Sequence, residues 1–435
     1  MSPMIANLEQ KSFSSPSIIK PGGKEMKPLQ TRDPFHVYIY TCFLSQLFFT
    51  FVFTVNLLYQ VQVVKLDPFQ LVLVGTVLEL SVFLFEIPTG VVSDLKSRKL
   101  SIIIGYALIG IGFLVEGLFP HFIPVLLSQV LWGLGYTCTS GSQQAWIADE
   151  IGEDRASLAF MKGAKANRLG EIIAIPLSMA TGFFMVNLPI VIGGSCMIGL
   201  AVFLSFAMRE ENFKPADREE RKSSWQSIKV NMNTIIHFTK TSAIIRILFL
   251  IALFVGFYSE GFDRLWISQF LNVSHLSDVM DGSFVAVVGS IQLIIVLISY
   301  VILHFVSRSP IHQHLRLIYV SLFIGSSVII ASLLGFAFSS LGAVLIAFYV
   351  IIQVTRSVMH PLEDIWLNKI IPDSSTRATF FSVKGQVDAI GQISGGPVIG
   401  YIASSFTIRT AIVASAILLT PVLVFYHKLL KKRKG

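Results

Sequence analysis

Apolar residues along this chain come in long unbroken runs, without the spaced stripe of a surface helix or the alternation of a half-buried strand. A run of about 18 residues or more carries a helix across a hydrocarbon core at roughly 1.5 Å per residue. Such runs predict twelve spans, over 36–60, 68–93, 100–120, 122–144, 164–185, 187–208, 243–265, 282–306, 315–337, 339–361, 379–404 and 407–427. One connecting stretch, 209–242, is far longer and more polar than the others and divides six spans from six. The pattern predicts an all-α polytopic membrane protein with twelve transmembrane helices in two six-helix bundles. The bundles cover 36–208 and 243–427, joined by a linker at 209–242 and flanked by a disordered polar tail, 1–35, and a basic tail, 428–435. The second half of the linker, with Trp225, Ile228, Val230, Met232 and Ile235, is weakly amphipathic and suits a membrane interface.

Composition agrees with that pattern. The chain has 435 residues, 53% hydrophobic and 14% charged, against about 25% charged in soluble proteins, and its mean hydropathy is +0.69. The net charge of +8 is explained by placement. Lys96, Arg98, Lys99, Arg155, Lys162, Arg308, Arg316, Lys369, Arg377 and the two tails fall on one side of the predicted topology, against essentially Lys65 and Arg409 on the other. Short basic loops stay in the cytoplasm, so both termini are expected there and nucleic-acid binding is not required. Residues 1–35 lack the apolar core of a secretory signal. Cys42, Cys138 and Cys196 lie inside apolar spans with no pairing or metal-ligand spacing, and no metal site is expected.

The halves repeat each other. "AWIADEIGEDRASLAFMKG" around spans four and five matches "DIWLNKIIPDSSTRATFFSVKG" around spans ten and eleven. Trp146 corresponds to Trp366, Arg155 to Arg377, Lys162 to Lys384 and Gly163 to Gly385. Duplicated bundles of this kind place substrate sites near the midplane between halves. The turn after span two, "EIPTGVVSDLKSRK", sets Gly90 one helical turn before Asp94 and ends in Arg98 and Lys99. A glycine there is expected to let a neighbouring helix approach closely.

Gly90, Asp94, Arg98 and Lys99 resemble the loop signature of the major facilitator superfamily, although Leu95 and Ser97 replace its basic residue and second glycine. The resemblance extends through twelve spans, the six-plus-six division and the repeat. "EIPTG" followed by "SGSQQAWIADEIG" looks like a bacterial subgroup of efflux permeases. What the family implies is a charge network closing the cytoplasmic side, with Asp149 at the end of span four as the acidic partner of Asp94 and Arg98. It also implies a bacterial cell membrane and action as a monomer among lipids.

Ionisable groups inside apolar spans cost about 2.5–3.5 kcal/mol each at a helix centre, so they mark partners or a watery cavity. Glu79 and Glu86 share one face of span two. In span seven, Glu260, Asp263 and Arg264 set two acids against one base, with Glu260 and Arg264 spaced for an intrahelical pair and one carboxylate left to take a proton. Span ten carries Gln353, Arg356, His360 and Glu363 on one stripe, and span eleven Lys384, Gln386, Asp388 and Gln392. Arg356 needs a counter-charge, which Asp388, Glu79 or Glu86 could supply. Glu79, Glu86, Glu260, Asp263 and Asp388 are the candidate proton carriers; Gln129, Arg264, Gln353, Arg356 and Gln386 are the candidate cavity residues. Drug-proton antiporters of the superfamily carry an arginine in span four and a Gly-Pro motif in span five. Here Gln129 stands near the first, and Pro176 lacks the flanking glycines of the second.

No nucleotide-binding loop, zinc-protease motif or other reactive constellation occurs, so neither ATP, a cofactor nor an enzymatic reaction is implied. The expected function is proton-coupled efflux of a small amphipathic or drug-like compound by antiport, driven by the proton gradient. Proton-coupled uptake of a small metabolite by symport, and a transporter-like membrane sensor, are the alternatives.

Overall fold

The computed structural model describes residues 33–213, 237, 239–240, 242–274, 282–371 and 374–432. The expected N-terminal tail up to residue 32, most of the linker including its amphipathic half, and the last three residues lie outside this description.

Thirteen long or medium α-helices account for the described chain. They are α1 (Pro34–Gln62), α2 (Pro68–Leu95), α3 (Arg98–Leu118), α4 (Phe122–Thr139), α5 (Ser142–Ile151), α6 (Glu153–Gly182) and α7 (Leu188–Ala207) in the first half. In the second are α8 (Ala243–Ser274), α9 (Gly282–Arg308), α10 (Leu315–Phe338), α11 (Gly342–Ile370), α12 (Ser374–Ser405) and α13 (Ile408–Lys432). The apolar runs become helices because a backbone crossing hydrocarbon must satisfy its own hydrogen bonds.

Their boundaries follow local chemistry. Asp67 and Gln70 form a reciprocal cap at the start of α2, with Gln70 N donating to Asp67 Oδ1 at 2.9 Å and Asp67 N to Gln70 Oε1 at 3.1 Å. Pro68 occupies the first turn, where no amide hydrogen is needed. Ser97 caps α3 by accepting from Leu100 N at 2.9 Å.

Among the described residues, ten helical stretches are long and apolar enough to cross a membrane. The remaining two long helices, α6 and α12, correspond to expected spans five and eleven. Each starts several residues before its apolar run, so charged turns continue the helix beyond it. Glu153 and Asp154 occupy the first turn of α6, where negative charge complements the helix dipole. Span four differs from expectation: it breaks after Thr139, and the chain continues as α5. Gly141 and Gly152 flank α5 with φ of 73° and 79°, the left-handed region in which glycine is the natural residue.

The repeat is visible in the packing. In the first half α1 packs on α6, α3 on α4 and α3 on α7; in the second α8 packs on α12, α10 on α11 and α10 on α13. Counting α4 and α5 as one bent span, these are the same three pairings. At the α3–α4 crossing the backbones touch: a Cβ at Gly135 would lie 2.6 Å from Gly105 O, and one at Gly105 would lie 2.7 Å from Gly135 O.

The halves meet mainly along α2 and α12, with further contacts of α2 to α8 and α6 to α9. The contacts cluster where α2 begins and α12 ends. Phe69 N donates to Ser404 Oγ at 3.0 Å, and Gly400 lies against Val72 and Phe69. Toward the other end of α2, nothing stands within 4 Å of a Cβ built on Gly90. The close helix approach expected at Gly90 is therefore absent in this conformation, because the halves are engaged at the opposite end.

Gly135→Ala is expected to weaken the fold by about 1–3 kcal/mol through overpacking against backbone, seen as a lower unfolding midpoint in detergent. Gly90→Ala is expected to leave that midpoint unchanged or slightly raised, since it adds helix propensity without a clash.

Candidate functional site

A cavity of about 370 Å³ lies between the halves. The face from α1 contributes Gln46, Phe49, Thr50, Phe53 and Thr54; α9 contributes Gln292; and α11 contributes Tyr349, Gln353 and Ser357. Glu171 of α6 is the lining's one charged residue. Its carboxylate receives Arg168 Nη1 at 2.7 Å, from a side chain that itself is mostly exposed. Behind the lining, Phe53 lies 4.8 Å from Trp132 and 5.8 Å edge-on to Phe113, between ring centroids. This packing fixes an aromatic wall.

The cavity candidates fare differently. Gln353 lines the cavity, while Arg356, one turn further along α11, is held in an ion pair. Gln386 is half-buried on α12 and makes no side-chain hydrogen bond among the described residues. Gln129 is buried inside the first half and donates to Glu116 Oε2 at 3.2 Å. It is not part of the cavity lining.

Charge pairing on α8 departs from expectation in one respect. Arg264 Nε donates to Glu260 Oε1 at 2.9 Å, the intrahelical pair that the spacing predicts. Asp263 is not left over. It receives Arg356 Nη1 at 2.6 Å and Nη2 at 3.0 Å, a two-point contact from α11, and the guanidinium also lies 5.2 Å from the Tyr258 ring centroid. The counter-charge of Arg356 is thus Asp263, and not Asp388, Glu79 or Glu86. Consecutive helix positions point about 100° apart, so Arg264 turns toward α2 while Asp263 turns toward α11. Gly75 of α2 makes the first of these directions available: a Cβ there would overlap Glu260 Oε1 and Arg264 Nε.

The carboxylates without a cationic hydrogen-bond partner are elsewhere. Glu79 and Glu86 accept no hydrogen bond among the described residues, and Glu79 lies within electrostatic reach of Glu260, Arg264 and Asp388. Asp388 accepts from Gln392 Nε2 at 2.8 Å. Lys384, the repeat partner of Lys162, is bound to Glu363 at 2.9 Å.

At the end where Gly90 is open, Arg98 Nη1 meets Asp149 Oδ2 at 2.6 Å and Arg98 Nε lies 3.9 Å from Asp94 Oδ1. The three residues expected to form one cluster are together, and all belong to the first half. The segment after α7 completes the cluster. Lys99 donates through Nζ to Met208 O and through its backbone N to Glu210 Oε1, both at 2.9 Å. Trp146 Nε1 donates to Arg209 O at 2.6 Å, and Glu150 accepts from the amides of Glu211 and Asn212.

Glu116 of α3 sits in surroundings that the sequence patterns above did not point to. It is 1% exposed and its carboxylate accepts from Asn56 Nδ2 at 3.0 Å, Gln60 Nε2 at 2.7 Å and Ser128 Oγ at 2.9 Å. The signal was the row of amides "NLLYQVQ" at the end of α1, unusual in an apolar span. The cavity role of Glu171 was likewise unassigned.

A duplicated helical membrane fold closed at one end over a central polar and aromatic cavity is the architecture of a transporter. The profile described as Major Facilitator Superfamily matches residues 37–331, and the chain belongs to that family. It is 26% identical over 373 residues to the uncharacterized MFS-type transporter YxaM of Bacillus subtilis (strain 168), covering 82% of this chain and 87% of that protein. Among solved structures, the nucleoside transporter NupG superposes with a TM-score of 0.70 at 16% identity, covering 92% of this chain and all of the other. A bacterial homolog of the human lysosomal transporter Spinster, solved inward-facing and unoccupied, gives 0.71 at 17% identity, with 91% and 97% covered. These likenesses concern the fold. The protein is a membrane transporter and not an enzyme.

Arg356→Gln is expected to destabilise the second half by about 2 kcal/mol or more, because it strands Asp263 without its partner. Adding Asp263→Asn should recover most of the loss in the same thermal unfolding assay.

Proposed function

We propose that this chain is a proton-coupled exporter that exchanges a small amphipathic cation for protons by alternating access. It acts as a monomer in a bacterial cell membrane, with both termini in the cytoplasm and two bundles, 36–208 and 243–427, on either side of the linker. The carrying observation is Glu171, a lone acid in a lining that otherwise consists of amides, hydroxyls, aromatic rings and aliphatic groups, with no lysine or arginine. A carboxylate that binds either a proton or a cationic cargo, but not both, makes the two exchange. Phe49, Phe53 and Tyr349 supply ring faces that suit a cation with an apolar body.

In this orientation the contacts near Phe69 and Ser404 close the outside, and the cavity faces the cytoplasm. Cargo entering from that side displaces the proton on Glu171. The halves then rock, and a proton from outside displaces the cargo. Glu79, Glu86 and Asp388, free of cationic hydrogen-bond partners, are the other carboxylates on which protons can travel; Glu260 and Asp263 stay tied to arginines that are largely buried, whereas the Arg168 partner of Glu171 is mostly exposed. The Asp94, Arg98 and Asp149 cluster shapes the surface that meets the second half when the cytoplasmic end closes. Asp94, with its side chain 63% exposed and held only by Arg98 Nε at 3.9 Å, has room for a further partner there.

Proton-coupled uptake is the second reading. It is favoured by the amides Gln46, Gln292 and Gln353, which suit a neutral polar cargo, and by the likeness to a nucleoside transporter and to a POT family transporter solved with a peptide conjugate.

Proteoliposomes with an imposed pH gradient separate the two. Export predicts uphill movement of hydrophobic cations against proton flow, with Glu171→Gln abolishing the exchange while the protein remains folded. Nucleoside or peptide movement in the same direction as protons, untouched by Glu171→Gln, would establish uptake instead. Asp149→Asn is expected to lower turnover several-fold while leaving cargo affinity near wild type, because it loosens the cluster without touching the cavity.

A further inference from the structure

We propose that the groove between α2 and α3 beside the Arg98 turn holds one acyl chain of an anionic phospholipid, with the lipid phosphate against Lys96. The groove has a volume of about 310 Å³. Its walls are Pro88 and Val92 of α2 and Leu100 and Ile104 of α3, and α4 supplies the floor through Leu134. Val92, Leu100 and Ile104 are each 43–50% exposed, so the groove is open at the surface, and none of its residues lines the central cavity.

Its few hydroxyls are already satisfied by the protein. Thr89 Oγ1 donates to Phe85 O at 2.8 Å, Ser101 Oγ to Cys138 O at 2.8 Å, and Ser97 Oγ to Glu210 Oε2 at 2.5 Å. The groove thus asks its occupant for no hydrogen bond, which fits hydrocarbon. Its depth fits as well. From the turn at Arg98 to Leu108, the deepest α3 residue of the lining, the helix advances about 15 Å, half of a hydrocarbon core of about 30 Å. One leaflet's acyl chain spans that distance.

Charge at the mouth selects the headgroup. Asp94 and Asp149 face Arg98, and Glu210 is taken by Ser97 and the Lys99 amide. Lys99 Nζ is occupied by Met208 O. Lys96 lines the mouth, is exposed and has no acidic partner among the described residues. A lone ammonium at headgroup level above an apolar slot complements an anionic phospholipid. The pocket between α9 and α11 in the second half, about 270 Å³, has His312 and no lysine in its lining.

The test uses the full chain reconstituted in phosphatidylcholine vesicles containing phosphatidylglycerol, re-extracted in mild detergent, with the retained lipid counted by native mass spectrometry. Phosphatidylglycerol should be enriched over phosphatidylcholine. Lys96→Gln, a change at an exposed position, should lower that enrichment about fivefold, the equivalent of ~1 kcal/mol for one lysine near an anionic surface. Leu100→Trp, which fills the groove, should remove the retained lipid. Ile123→Trp, at a comparably exposed apolar position elsewhere, should not. Equal retention of the two lipids by the wild type, or an enrichment unchanged in Lys96→Gln, overturns the proposal.

Discussion

Hydrocarbon offers no hydrogen-bond partners, so every polar group carried into the membrane must find one within the protein or in water held by it. That requirement organises this structure more than any single apolar contact does. It turns the apolar runs into helices, and it determines what each charged side chain must touch. Glu116 is surrounded by amides and a hydroxyl, Asp263 is gripped at two points by Arg356, and Glu260 is joined to Arg264. The carboxylates that escape such pairing, Glu79, Glu86 and Asp388, lie on α2 and α12, the helices along which the halves mainly meet.

The helical plan was legible in the sequence because apolar length is a direct physical requirement of crossing a bilayer. The ends of α6 and α12 were less so, since charged turns can extend a helix past the membrane without any change in apolar pattern. The break at Gly141 was hidden for a different reason: a glycine inside an apolar run reads as a packing residue until its φ is known. The Glu260 and Arg264 pair followed from spacing along one helix. The partner of Arg356 did not, because Asp263 and Arg356 are 93 positions apart, and only the rotation of α8 against α11 brings them together.

The cluster around Arg98 shows both limits. Asp94, Arg98 and Asp149 could be joined through a family resemblance carried by the turn after span two. Glu210 and the backbone of Met208 and Arg209 could not, since they lie just beyond α7, where the sequence reads as the start of a linker. Gly90 marks the other limit. Its place in the motif suggests a tight contact, yet the structure holds it in open space, because the halves are engaged at the opposite end of α2.

Among the described residues of the two bundles, each ion pair joins partners within one half of the molecule. Arg98 with Asp149 and Arg168 with Glu171 lie in the first, and Glu260 with Arg264, Asp263 with Arg356 and Glu363 with Lys384 in the second. The Glu260 and Arg264 couple occupies the space left by Gly75, so it sits at the seam, yet it moves with α8 as a neutral unit. Parting the halves therefore breaks no charge pair and carries no net charge from these couples through the membrane field. An electrical potential does work of about 2.3 kcal/mol per charge per 100 mV only on charge that moves. For these couples the separation of the halves is indifferent to voltage, and electrical sensitivity has to come from charge carried outside them.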